Sequence, residues 1–175
     1  MDLSSRLTHL TKGVDKDDAF NNLINILEEK RLKGVARKRI ICGEIPAVCL
    51  QDAPLSAIAE NLQYEEVLRK EENQKVRYWD LELGFRKIYL SARGRPVIYD
   101  DTDKAKMYLL KNEWWRIVKL DLSNSNSVVD WMHEREWRVP KDIIFNYSQC
   151  EVIVPSPKYY KRFVEYCLEM VERYL

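Results

Sequence analysis

The chain has only five glycines among its 175 residues, and none of them falls in a phosphate-binding loop or a dinucleotide fingerprint. Both kinds of nucleotide site need glycines at fixed spacing, because the backbone has to approach the phosphates closely. P-loop and Rossmann-type nucleotide binding is therefore disfavoured, and a nucleotide would have to bind in another way.

Cysteine, long apolar runs and net charge are limited as well. The four cysteines show no Cys-x-x-Cys spacing, and the formal net charge is +1. No signal-peptide core follows the first Met, and no run approaches the roughly 20 apolar residues that span a bilayer. We therefore predict a cytoplasmic protein with reduced thiols, no membrane segment and no bulk attraction to nucleic acid. A zinc site built from the cysteines with His9 and His133 is the alternative, but we predict no metal.

What the chain does contain is a large number of aromatic residues, with ten tyrosines and five tryptophans. Packing in the core and at its rim explains most of them, although Tyr78, Trp79, Trp114 and Trp115 also suit base stacking. The length predicts one domain over residues 1–175.

The order of predicted elements is that of an α+β protein. Residues 7–11 alternate as a first strand, and Asp15 or Asp17 is expected to cap a helix that ends near Gly34. Residues 39–42 and 47–50 fit two short strands or a strand and a connector, and Asp52 and Pro54 are expected to begin a second helix. Residues 76–99 are expected to be β-rich, and residues 142–147 and 151–154 are expected to form two more strands. Residues 114–118 are expected to be a helix end or a strand, and residues 123–127 a loop. A final helix follows Ser156, and its predicted buried residues are Phe163, Val164, Cys167, Leu168 and Val171.

The densest group of reactive side chains is His133-Glu134-Arg135-Glu136-Trp137-Arg138. In a strand from Val129 to Val139, the side chains of Glu134, Glu136 and Arg138 would share one face, with the two glutamate Cα atoms roughly 6.6 Å apart. Such a pair of carboxylates suits one shared ligand. The alternative is an exposed strand whose arginines neutralise the glutamates.

Four segments together resemble the bacterial abortive-infection, AbiGi-like family, which is associated with phage defence. They are Leu-Thr-His-Leu-Thr-Lys at 7–12, Val-Cys-Leu-Gln-Asp-Ala-Pro-Leu at 48–55, Gly-Phe-Arg-Lys at 84–87 with Gly-Arg-Pro-Val-Ile-Tyr at 94–99, and Trp-Met-His-Glu-Arg-Glu-Trp-Arg-Val at 131–139. The resemblance spans residues 7–154.

An early strand with His, a following helix and a late strand with Glu-x-Glu more distantly resemble ADP-ribosyltransferases, including the DarT-like toxins that modify DNA. The resemblance implies split β-sheets with flanking helices and NAD in the cleft between them. It makes Glu136 the catalytic carboxylate, with Glu134 orienting or deprotonating the acceptor. A first-strand Arg is usual in that fold, where this chain has His, and a Ser-Thr-Ser motif is missing. The expected cofactor-binding residues are His9, Thr11, Arg86, Tyr99 and Arg138, with Phe85 and Tyr89 as alternatives to Tyr99.

Two functions follow as hypotheses. The first is an NAD-dependent ADP-ribosyltransferase that modifies a protein or a nucleic acid in phage defence. The second is a non-enzymatic regulator or antitoxin that binds a protein partner or nucleic acid, and the near-neutral charge favours a protein partner.

Overall fold

A computed structural model of the chain describes residues 4–36, 41–71, 76–125 and 127–173, and its largest element is a six-stranded antiparallel sheet in the order β10-β4-β1-β3-β8-β5. Two smaller sheets pair β2 with β9 antiparallel and β6 with β7 parallel. The strands are β1 (Arg6–Leu10), β2 (Arg31–Leu32), β3 (Ala47–Gln51), β4 (Glu82–Arg86), β5 (Arg95–Pro96), β6 (Ile98–Asp100), β7 (Ile117–Lys119), β8 (Glu136–Pro140), β9 (Ile143–Ile144) and β10 (Cys150–Ile153).

The described residues also form five α-helices and three short 3-10 helices. The α-helices are α1 (Lys16–Glu29), α2 (Leu55–Glu71), α3 (Lys87–Leu90), α4 (Thr102–Tyr108) and α5 (Pro157–Arg173), and the 3-10 helices are Lys111–Arg116, Met132–Glu134 and Tyr147–Gln149. The α+β class predicted from the sequence is confirmed.

The main core lies on one face of the six-stranded sheet, which we call the core face. Register pairs place Leu7 beside Phe85 and Leu50 beside Trp137 on this face, since residues opposite each other in a ladder point the same way. Helix α1 buries Leu23 and Phe20 against it, and α5 contributes Tyr159. The core face is thus covered by the first and last helices.

The opposite face of the sheet, which we call the site face, carries two smaller apolar clusters and a row of polar residues. Leu10 packs there with Ile58 of α2, and Ala47 packs with Trp115 of the 3-10 helix Lys111–Arg116. Between these clusters the strands present Thr8, Gln51, Glu136 and Arg138.

Helix α1 begins where the sequence predicts and ends earlier. Asp15 is the N-cap, and its side chain accepts a hydrogen bond from the backbone of Asp18 at 2.8 Å. The predicted end at Gly34 is wrong, because Lys30 already adopts a left-handed conformation and the next residues pair with β9. Gly34 is instead needed for close packing, since a Cβ there would lie 2.7 Å from the carbonyl oxygen of Lys141.

The segment from 76 to 99 is only partly β. The ladder between β1 and β4 ends at the pair Arg6 and Arg86, and the chain then turns into the short helix α3, which the sequence did not predict. Residues 114–118 combine both predicted alternatives, since a 3-10 helix leads directly into β7. Residues 47–51 form β3, whereas residues 39 and 40 lie outside the described residues.

The predicted strand from Val129 to Val139 is wrong in its first half. Met132–Glu134 is a 3-10 turn, and Arg135 follows in a left-handed conformation with φ 44° before β8 starts at Glu136. Pairing with β3 supports only residues 136–140 as a strand. Glu134 and Glu136 therefore do not share a strand face.

The predicted buried face of the last helix is also largely wrong. Phe163 packs on the main core, but Val164, Cys167, Leu168 and Val171 are exposed. Helix α5 packs on the main core through the side that carries Tyr159 and Phe163, so its other apolar residues face outward.

Both ends of the six-stranded sheet are short strands, and β5 is the shorter one. Pro96 in β5 lacks a backbone N–H group, and its carbonyl oxygen accepts a hydrogen bond from Nε of Arg116 at 3.1 Å.

Among the described residues no helix is both long and apolar enough to cross a bilayer.

Candidate functional site

A cavity of about 370 Å³ lies between α2 and the site face of the sheet. Leu10 and Ile58 form its apolar floor, while Gln51 and Asn61 contribute amide groups. Its aromatic and charged residues are Tyr64, Tyr78, Trp131, His133, Glu65, Arg69, Arg77 and Glu134. An apolar floor with convergent polar groups is common in small-molecule sites.

The turn before β8 brings Glu134 to this cavity. The side chain of Asp130 accepts a hydrogen bond from the backbone of Met132 at 2.8 Å and so starts the turn. Arg135 ends it in the left-handed region, and its carbonyl oxygen accepts a hydrogen bond from the backbone of Asp52 at 3.0 Å. The position of Glu134 is therefore fixed from both sides of the turn.

Arg77 lies between two carboxylates of the cavity. Its guanidinium donates to Oε2 of Glu65 at 3.0 Å, and its Nη1 lies 3.7 Å from Oε1 of Glu134. The same guanidinium stands 4.4 Å from the ring centre of Trp131, which is cation–π distance. Arg77 thus links α2, the 76–81 segment and the turn before β8.

Burial raises the pKa of Glu134 to about 7, the charge of Glu136 adds to this rise, and Arg77 opposes it. Burial also raises the pKa of Tyr78, which keeps its phenol protonated. A carboxyl group with a pKa near neutrality can both donate and accept a proton at the pH of a cell. Glu134 therefore has the acid–base properties of a reactive group.

This shift should make the folding stability depend on pH. The ordinary pKa is 4.5 and the folded-state pKa is about 7, so the folded chain binds more protons between these values, and stability falls as the pH rises through this window. Glutamine cannot ionise, so Glu134→Gln should not lose folding stability in this way as the pH rises. At about pH 8 the variant should be more stable than the wild type by at most about 3 kcal/mol.

Urea unfolding of both proteins at about pH 8 and about pH 4 measures the effect. The advantage of the variant should shrink at the acid pH, where Glu134 is protonated in both states. An advantage of the same size at both pH values would show that Glu134 does not carry the shifted pKa.

Glu136 is bound by Arg138 rather than open to the cavity. Nε and Nη2 of Arg138 donate to the two carboxylate oxygens at 2.8 and 3.2 Å, and Nη1 donates to the carbonyl oxygens of Trp115 and Ile117 at 2.7 and 3.0 Å. Glu136 also contacts the Cys49 thiol, whose pKa burial raises. Through the bonds of Arg138 to these carbonyl oxygens, the buried pair links β8 to the segment that contains the 3-10 helix Lys111–Arg116 and β7.

Tyr99 joins the same group of residues. Its hydroxyl oxygen accepts a hydrogen bond from the backbone N–H of Glu136 at 2.8 Å, and burial raises its pKa to about 12. The structure therefore brings together four of the predicted site residues, namely Tyr99, Glu134, Glu136 and Arg138.

The other predicted site residues lie elsewhere. His9 is opposite Leu83 on the core face, whereas Glu136 is opposite Gln51 on the site face. The ring Nδ1 of His9 lies 3.0 Å from the carbonyl oxygen of Cys49, and burial lowers the pKa of this imidazole.

Thr11 and Arg86 are also outside the cavity. Thr11 follows β1, and its backbone N–H donates to the carbonyl oxygen of Leu81 at 2.9 Å. Arg86 is exposed at the end of β4, and the two strands β1 and β3 lie between β4 and β8 in the sheet. With neighbouring strands about 4.8 Å apart, β4 and β8 are separated by roughly 14 Å.

Sequence reasoning missed Arg77 and Trp131 as cavity residues. Trp131 belongs to the segment that carries the family resemblance, so its proximity to Glu134 was available as a signal. The contact between Arg77 and Trp131 joins residues far apart in the chain, and no local pattern encodes it.

In the described part of the chain, no three His, Cys, Asp or Glu side chains are grouped to bind a metal ion.

Comparison of the chain with protein-family models, curated proteins and solved structures finds no match in any of the three. The AbiGi-like and transferase-like resemblances therefore stay predictions. The cavity and the residues that line it are therefore the basis for assigning a function.

Proposed function

We propose that the cavity beneath α2 binds NAD or a related nucleotide, and that the chain transfers the ADP-ribosyl group to a macromolecule in phage defence. The observation that carries this proposal is the buried carboxyl group of Glu134, with a pKa of about 7, beside the stacked pair of Arg77 and Trp131. Glu134 takes the place that the sequence had given to Glu136, because Arg138 occupies both oxygens of Glu136.

The cavity residues suit one half of a dinucleotide. A volume of about 370 Å³ is at the lower end of the range for ligand sites, so the second half would lie along the open side. Trp131, with Arg77 over its ring, would take a base or a nicotinamide on its remaining face, and Gln51 and Asn61 offer amides. Arg77 and Arg69 supply positive charge for phosphates once these displace Glu65.

The chemistry needs a fixed anion beside the sugar. When the bond between nicotinamide and ribose breaks, its electron pair leaves with nicotinamide and positive charge develops on the ribose. Ionised Glu134 would stabilise this charge, and the low dielectric of the cavity would strengthen the effect. A proton from the attacking acceptor would pass to a carboxylate of the site. Because the ionised form acts, the rate should rise with pH through about 7.

Binding without transfer is the second candidate, and the Arg138–Glu136 pair favours it. A Glu-x-Glu transferase site uses two carboxylates, whereas this chain holds one of them in a buried bidentate ion pair. A regulator that binds a nucleotide or a partner through the same cavity would need only Trp131, Arg77 and Glu134.

Calorimetric titration with NAD and measurement of nicotinamide release with water as acceptor test the proposal together. The wild type should bind NAD and release nicotinamide. Trp131→Leu should weaken binding by about tenfold or more, since base stacking contributes about 1–3 kcal/mol. Glu134→Gln should keep the binding and slow release by about tenfold or more.

Glu82→Gln is the matched control. Burial raises the pKa of Glu82 to about 7 as well, but Glu82 does not line the cavity, so this variant should bind NAD and react as the wild type does. Failure of the wild type to bind NAD would overturn the proposal. Binding with no nicotinamide release would leave the regulator as the function.

A further inference from the structure

Helix α5 carries an apolar stripe on the side that faces away from the core. Tyr160, Val164, Leu168 and Val171 are 61%, 37%, 59% and 57% exposed. They follow one another at intervals of four, four and three residues, which places them on one face of the helix. Tyr159 and Phe163 pack on the main core from the other side of the helix, so α5 has two apolar faces and the protein covers one of them.

Charged residues border this stripe along one side, and their sign changes along the helix. Lys158 and Lys161 are in the first half, Glu165 is at the middle and Glu172 is near the end. All four are exposed, and steps of three, four and seven residues keep them on neighbouring rows. In an antiparallel two-fold pair these rows lie on the same side of the contact, and Lys161 of each copy comes beside Glu172 of the other.

We propose that a second copy of this chain covers the stripe, with the two α5 helices antiparallel about a two-fold axis between Val164 and Leu168. Val164 and Leu168 would pack at the centre of this contact, and Tyr160 of each copy would lie against Val171 of the other. Lys161 of each copy would stand beside Glu172 of the other. Such a self-complementary patch is what a two-fold dimer requires.

The stripe is separate from the cavity beneath α2, since α5 covers the core face and the cavity lies on the site face. The dimer would leave the cavity open in both copies. The proposal therefore does not depend on the nucleotide site.

Sedimentation equilibrium of the full chain at high micromolar concentration tests the dimer. The wild type should have twice the 20.9 kDa mass of one chain. Leu168→Glu places a charge at the centre of the contact and should weaken dimerisation by about tenfold or more. The exposed position of Leu168 should leave the thermal unfolding of the variant monomer unchanged.

Met107→Glu is the control, because Met107 on α4 is more exposed than any residue of the stripe and its replacement should leave the dimer intact. Lys161→Glu should weaken the dimer, and adding Glu172→Lys should restore it, as the antiparallel arrangement requires. A monomeric wild type, or a Leu168→Glu dimer as tight as the wild type, would overturn the proposal. If Leu168→Glu weakens the dimer but Glu172→Lys does not restore the dimer of Lys161→Glu, the antiparallel orientation would be overturned.

Discussion

Arg138→Met should lower the free energy of unfolding by about 3–5 kcal/mol, because it leaves the carboxylate of Glu136 buried without its partner. The Arg138 side chain is only 2% exposed, and it binds both oxygens of Glu136 and two backbone carbonyl oxygens. Methionine fills much of the same volume, so the loss reflects missing polar partners rather than an empty space. Urea unfolding of the wild type and the variant measures the difference.

The double variant Arg138→Met, Glu136→Leu separates the ion pair from its surroundings. Removal of both charges should recover part of the lost stability, since apolar replacements of buried ion pairs are often tolerated. Recovery should be incomplete, because the carbonyl oxygens of Trp115 and Ile117 still lose their donor. If the single variant proved as stable as the wild type, the pair would not stabilise the contact between β8 and the segment that contains Trp115 and Ile117.

Phe85→Ala should cost about 3–5 kcal/mol, the usual effect of truncating a fully buried phenylalanine. Phe85 lies in the middle of the core face, where β4 places it between Leu7 and Cys150 of the neighbouring strands. Its ring meets that of Phe145 edge-on at 5.3 Å. Removing the ring opens a cavity between the sheet and the segment that contains β9, and the rigid strands on both sides oppose its collapse.

Phe85→Leu provides the comparison, because leucine keeps most of the buried volume and should cost less than about 1.5 kcal/mol. Thermal or urea unfolding of both variants measures the two losses. Equal losses would show that the ring contacts, rather than the filled space, stabilise the core. No loss in either variant would contradict the position of Phe85 in the main core.

Elements with a strong local signal were predictable from the sequence. The first strand, the Asp15 cap of α1 and the start of α5 at Pro157 combine regular apolar spacing with a capping residue or a proline. These signals act within a few residues, so they work without knowledge of the rest of the fold. The α+β class follows from their order along the chain.

Features that depend on distant partners were not predictable. The alternating pattern of residues 129–139 suits a strand, but β3 pairs only with residues 136–140, and the tie between Asp52 and Arg135 holds the turn before them. The two glutamates still come close because that turn brings Glu134 back beside Glu136. Their proximity was therefore predicted for the wrong geometric reason, and the pairing of Arg138 with Glu136 was anticipated only as an alternative.

The contact of Arg116 with Pro96 bears on aggregation. A strand at the end of a sheet exposes unpaired backbone groups, which can recruit strands from other molecules. At β5, proline removes one donor and Arg116 occupies one acceptor, so this edge offers little to an incoming strand. Growth of fibrils by strand addition is therefore disfavoured at this end of the sheet.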